Sequence, residues 1–137
     1  MKPQHLLAAG ALAAFLCGPA AAATLDLVEP IAAYKIYVSE KLQTLVTDTK
    51  AFTSAVKAGD IATAKRLFAP TRMSYEAIEP IAELFGDLDK AIDSRADDYE
   101  KAEKSPEFQG FHRLEYGLWA QNSTEGLAPV ADKRSEE

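Results

Sequence analysis

Between Glu29 and Ala58, the residues Tyr34, Val38, Leu42, Leu45, Thr49, Phe52 and Val56 follow one another in steps of four, four, three, four, three and four. That spacing places every one of them on a single stripe of an α-helix. No strand can carry the pattern, because strand side chains alternate with period two. A helix this long, with one apolar stripe, needs other helices to cover it. Gly59 predicts its end, and Asp60 is a good N-cap for the helix that follows.

The second segment carries Ile61, Ala64, Leu67 and Phe68 before Pro70, and helical spacing resumes through Met73, Ile78, Ile81, Leu84 and Phe85. Pro70 and Pro80 are expected to start, kink or interrupt turns, since each lacks an amide hydrogen. Gly86 closes this segment. The stretch GDLDKAIDSRADDYEKAEK is poor in large apolar residues and reads as a solvated loop with one or two helical turns. Ser105-Pro106-Glu107 predicts a helix start, with Phe108, Phe111, Leu114 and Leu118 as the buried stripe of a helix ending near Ala120. Trp119 and Tyr116 are expected to pack in the core with Phe111. Gln121 to Thr124 breaks the pattern, and Leu127 and Val130 suggest one more helix. The fold class is all-α, an antiparallel helical bundle.

The first residues stand apart. Lys2 and His5 precede LLAAGALAAFLCGPAAAA, a charged start, an apolar run and a small-residue end. This is the layout of a secretory signal peptide over residues 1–23, with cleavage expected after Ala23 and a helical domain over 24–137. Cleavage would remove Cys17, the one cysteine, and with it any disulfide scaffold, thiolate site or cysteine nucleophile. Leu16 stands where a lipoprotein signal wants a small residue, which argues against a lipid anchor. The net charge of −6 becomes one unit more negative on loss of Lys2. An acidic domain releases few counterions from a phosphate backbone, so no nucleic-acid partner is expected, whereas cations suit it.

Two pairs of residues could carry chemistry. His112 and Glu115, in GFHRLEYGLW, are three apart and share a helical face, where an imidazole nitrogen and a carboxylate oxygen can hold one metal ion. Glu76 and Glu79, in RMSYEAIEPIAELF, form a second pair at the same spacing. If they face inward, their mutual repulsion calls for a proton or cation between them. Asp93 is a third candidate, with Asp97 and Asp98 nearby and Arg95 able to neutralise any of the three. Taken singly, each is equally what a solvated acidic face or a structural hydrogen bond would look like. Gly-rich phosphate loop, GxSxG, HExxH and CxxC are all missing from the sequence. With His112 the one histidine after cleavage, a three-histidine zinc site within the chain is excluded.

The run YEAIEPIAELFGDLDKAIDSRADDYE, followed by FQGFHRLEYGLW, resembles the EfeO/EfeM family of periplasmic iron-uptake proteins. That family belongs to the imelysin-like group, classified among peptidases through its His-x-x-Glu motif. The resemblance covers roughly Leu27 to Ala131. It implies a duplicated pair of four-helix bundles of which this chain holds the N-terminal half, incomplete at the C-terminus. The leader running straight into the helical domain matches the short EfeM form. The resemblance also implies metal ligands at His112, Glu115, Glu76, Glu79 and Asp93.

What the resemblance implies for function is a periplasmic protein that binds iron, or else zinc or manganese, and passes it to an inner-membrane iron permease, with a periplasmic peroxidase-type protein as a further partner. Carboxylates with one imidazole suit such ions better than Cu(I). A second reading is capture of an acidic polysaccharide such as alginate through a bridging cation. A metallopeptidase is a third, weakened because His-x-x-Glu lacks the two ligating histidines of HExxH with a base between them.

Overall fold

The computed structural model describes residues 25–136, with side chains to 133. The expected leader, with Cys17 and the cleavage site, lies outside the described residues. Six α-helices follow in order: α1 Val28–Lys57, α2 Ile61–Glu76, α3 Glu79–Ala82, α4 Gly86–Asp93, α5 Gly110–Glu115 and α6 Ala128–Glu136. Among the described residues there is no strand, and no helix is long and apolar enough to cross a membrane. The all-α expectation holds.

The turn between α1 and α2 forms as expected. Gly59 takes φ +74°, and the Asp60 carboxylate accepts from the Thr63 amide at 3.0 Å. Helix α2 packs back along α1, and α6 returns to the α1 C-terminal half. Pro70, however, interrupts nothing: α2 runs through it to Glu76. Both Pro70 and Arg66, whose carbonyl loses its amide partner, lie on the exposed face, where water can take the bond. The core is an aromatic group from three helices. Phe52 of α1, Phe68 and Tyr75 of α2 and Phe111 of α5 have ring centroids 5.8–6.5 Å apart.

Three further expectations need correction. The helix after Ser105 starts at Gly110 instead, because Gln109 is extended and Gly110 has φ +77°. Ser105 caps only a turn, accepting from the Glu107 amide at 3.3 Å, and Phe108 is buried outside the helix. The acidic stretch forms α4 and two 3₁₀ turns, Ala96–Asp98 and Ala102–Lys104. Met73, Leu84, Phe85 and Trp119 are exposed rather than core, although Trp119 lies edge-on to Phe68 at 5.1 Å. Beyond Glu115 the helix widens into a π turn, Tyr116–Ala120, ending where expected.

Candidate metal centre

Phe111 is fully buried in the aromatic core and so fixes the rotation of α5 about its axis. The next residue, His112, is thereby turned to the face that meets the end of α4. Gly110 makes that approach close enough. A Cβ there would lie 2.2 Å from the Ile92 carbonyl oxygen and 2.8 Å from that of Ala91. With no side chain in the way, Asp93, the next residue of α4, comes within reach of His112.

His112 Nδ1 lies 3.0 Å from Glu115 Oε2, one turn along. A carboxylate only accepts, so Nδ1 carries a proton towards Glu115, and in the neutral imidazole Nε2 then holds the lone pair. That Nε2 is buried and has no hydrogen-bond partner in the structure. It points towards Asp93 Oδ1, 3.6 Å away and beyond hydrogen-bond reach. Two zinc-type bonds of about 2.0–2.2 Å span such a gap, so a single ion could bridge the pair. Through this contact Glu115 holds the imidazole ring in its orientation, as carboxylates often do beside a histidine.

Asp93 ends α4, where the helix dipole disfavours a carboxylate. Its counter-charge is Arg72 of α2, not Arg95. Arg72 Nη1 and Nη2 donate to the two Asp93 oxygens, the second at 2.9 Å, and Arg72 Nε donates to Glu76 Oε1 at 2.7 Å. The guanidinium also sits over the rings of Phe111 and Tyr75, 5.6 and 5.8 Å from their centroids.

Glu76 ends α2 and Glu79 begins α3, so the pair spans a helix break rather than sharing one helix. A hydrogen bond that the protonated Glu79 donates to Glu76, then burial and repulsion from Glu76 and Glu83, hold the Glu79 carboxyl above its ordinary value. The five expected residues therefore form a file that Arg72 interrupts: Glu115, His112 and Asp93 on one side of the arginine, Glu76 and Glu79 on the other. They do not converge: among the described residues, no three His, Cys, Asp or Glu side chains surround one point that an ion could take. Asp97 and Asp98 stay outside the file, Asp98 accepting from the Arg95 amide at 2.7 Å. His112 and Glu115 open onto a cleft of about 340 Å³ lined also by Phe108, Tyr116 and Trp119.

A sequence profile of the imelysin family, Peptidase M75, matches residues 30–135. The chain belongs to the imelysin family. This imelysin-family chain is 58% identical over 128 residues to the iron uptake system component EfeM of Pseudomonas syringae pv. syringae (strain B728a), covering 93% of the chain and 45% of that relative. It is 58% identical over 106 residues to the iron uptake system component EfeO of Yersinia pseudotuberculosis (strain IP32953), 77% of the chain and 28% of the relative. To EfeO of Escherichia coli O1:K1 it is 59% identical over 111 residues, 81% of the chain and 30% of the relative. The chain spans less than half the length of the curated relatives it matches.

Two residues of this imelysin-family site escape sequence reasoning. Arg72 has a visible signal, its place four residues before Glu76, the spacing of a helical ion pair. What the spacing hides is the contact with Asp93, 21 residues away. Gly110 has a weaker signal, a glycine two residues before the histidine. Its function depends on α4 lying against it, which local sequence does not state.

Proposed function

We propose that this chain is a periplasmic iron-binding component of an iron-uptake system. It takes the ion between His112 Nε2 and Asp93, with Glu115 orienting the imidazole and Glu76 and Glu79 on the far side of Arg72. It then releases the ion to an inner-membrane permease. The observation that carries the reading is the buried Nε2 without a hydrogen-bond partner, facing a carboxylate oxygen 3.6 Å away. A buried polar atom left unpaired costs stability, and a cation on Nε2 removes that cost. Identity to EfeM and EfeO over most of the chain supports iron as the cargo. The donor set of oxygen and one imidazole suits iron, zinc and manganese. Peptidase chemistry has less support, since the motif carboxylate, Glu115, is engaged with Nδ1 and not placed beside the nitrogen that would hold a catalytic ion.

Calorimetric titration of the purified chain with Fe(II) under anaerobic conditions, and with Zn(II), tests the reading. Saturable binding that His112→Ala abolishes is the expected result, with Asp93→Asn lowering affinity at least about tenfold. Binding unaffected by His112→Ala, on a variant with unchanged circular dichroism, would overturn it.

A further inference from the structure

We propose that the cleft beside His112 and Glu115 binds a small aromatic zwitterion, an α-amino acid with an aromatic side chain: rings line the cleft, and Arg95 and Glu103 take the two opposite charges. The inference goes beyond the iron reading and needs no bound metal ion.

Most of the lining comes from one helical face. His112, Glu115, Tyr116 and Trp119 follow at steps of three, one and three, and all four line the cleft of about 340 Å³. The π turn Tyr116–Ala120 carries the two aromatics, and a single π turn at the end of a helix is frequent at functional sites. Phe108, drawn inward ahead of α5, adds a buried third ring. Trp119 is 48% exposed, yet its indole is held in place. Phe68 lies edge-on to it at 5.1 Å, and Lys65 Nζ stands 5.7 Å from its ring. Arg113 stands over Tyr116 in the same way, 5.8 Å from the ring centroid. Rings fixed in advance lose little further freedom when a flat ligand packs on them.

Charge narrows the ligand further. Arg95 lines the same cleft, and two aspartates near it in sequence are engaged elsewhere. Asp93 is forked onto Arg72, and Asp98 accepts from the backbone amide of Arg95. Among the described residues no ion pair reaches the Arg95 guanidinium. Glu103, in the same lining, has none either, so the two opposite charges share a cleft without pairing with each other. A plain anion would be drawn to Arg95 and repelled by Glu103 and Glu115. A plain cation would meet the reverse. A molecule with one carboxylate and one ammonium satisfies both, and its aromatic ring has Trp119, Tyr116 and Phe108 to pack on.

Trp119 is the one tryptophan of the chain, so its fluorescence reads this cleft directly. The test titrates the purified chain, in EDTA, with L-phenylalanine, with 3-phenylpropionate, which lacks the ammonium, and with phenethylamine, which lacks the carboxylate. L-Phenylalanine is expected to shift the emission saturably. Each one-charge analogue should bind about tenfold more weakly, the scale of one charge-assisted hydrogen bond. Arg95→Gln should weaken L-phenylalanine by a similar factor and leave phenethylamine unchanged. Glu103→Gln should weaken L-phenylalanine and leave 3-phenylpropionate unchanged. Both side chains are exposed, and circular dichroism checks that the variants fold. No saturable shift with L-phenylalanine, equal binding of all three compounds, or binding indifferent to both substitutions would overturn the inference. With metal chelated throughout, such a failure leaves the metal reading as it stands, and loss of that reading leaves this inference standing.

Discussion

Gly110 has a backbone angle of φ +77° and no room for a Cβ, two independent reasons for glycine at one position. The obstructing atoms are backbone carbonyls of α4, which cannot swing aside as a flexible side chain could. Gly110→Ala is therefore expected to cost about 2–4 kcal/mol. It should also push α4 from α5 and separate Asp93 from His112. Urea unfolding checks the first effect, and loss of Zn(II) affinity in the folded variant checks the second. Glu79 makes a different kind of prediction. Its carboxyl is held above the ordinary value of 4.5, first by the hydrogen bond that its protonated form donates to Glu76. The folded state thus holds that proton more tightly than the unfolded chain does. The stability it contributes is complete below pH 4.5 and is lost as pH rises through the raised folded value. Glu79→Gln keeps a hydrogen-bonding group without the charge. It should melt higher than wild type at pH 7 and close to it at pH 4, and melting curves at the two pH values decide the matter.

At the scale of elements, α2 is the informative case. Its apolar positions and Asp60 cap are plain in the sequence, but Pro70 reads as an interruption and is not one. The helix tolerates the proline because its face is exposed and because Phe68, Thr71 and Tyr75 are buried on either side of it. Thr71 Oγ1 also donates to the Leu67 carbonyl at 2.8 Å within the same turn. Packing overrides a local penalty here. Pro70→Ala should therefore raise stability by about 1–3 kcal/mol, read from thermal or urea unfolding, with no change in helix boundaries. The Ser105 start fails in the opposite direction. The capping residues are present, yet Phe108 is drawn inward before the helix begins, and Gly110 resets the chain direction.

Across the whole molecule, the stripe on α1 is only half used. Leu45, Phe52 and Val56 are buried, whereas Tyr34 and Leu42 on the same stripe are more than 40% exposed. The reason is length. Thirty residues of helix run about 45 Å and the sixteen of α2 about 24 Å, so α2 cannot cover α1 from end to end. Between the uncovered half and α3–α4 lies an apolar groove of about 270 Å³, lined by Val38, Leu42, Val46, Ile78, Phe85 and Ile92 among others. A patch of that kind should bind an apolar fluorescent dye. The double change Leu42→Gln and Val46→Gln is expected to reduce dye fluorescence severalfold while costing less than about 1 kcal/mol in stability, as both side chains are already half in water.

The chain's helicity, the α1–α2 turn and the His112–Glu115 pair were legible in the sequence, because each depends on residues within one or two turns of each other. Spacing sets a helical face, a cap needs a side chain three residues from its amide, and an i,i+3 pair meets on any helix. Tertiary structure decided the rest. Only the packing of Phe111 against Phe52, Phe68 and Tyr75 turns His112 towards α4, and only a bare Gly110 lets Asp93 come within 3.6 Å of it. Arg72 meets Asp93 across two helices for the same reason. Contacts between residues far apart in the chain depend on how the helices settle against one another, and no single stretch of sequence carries that information.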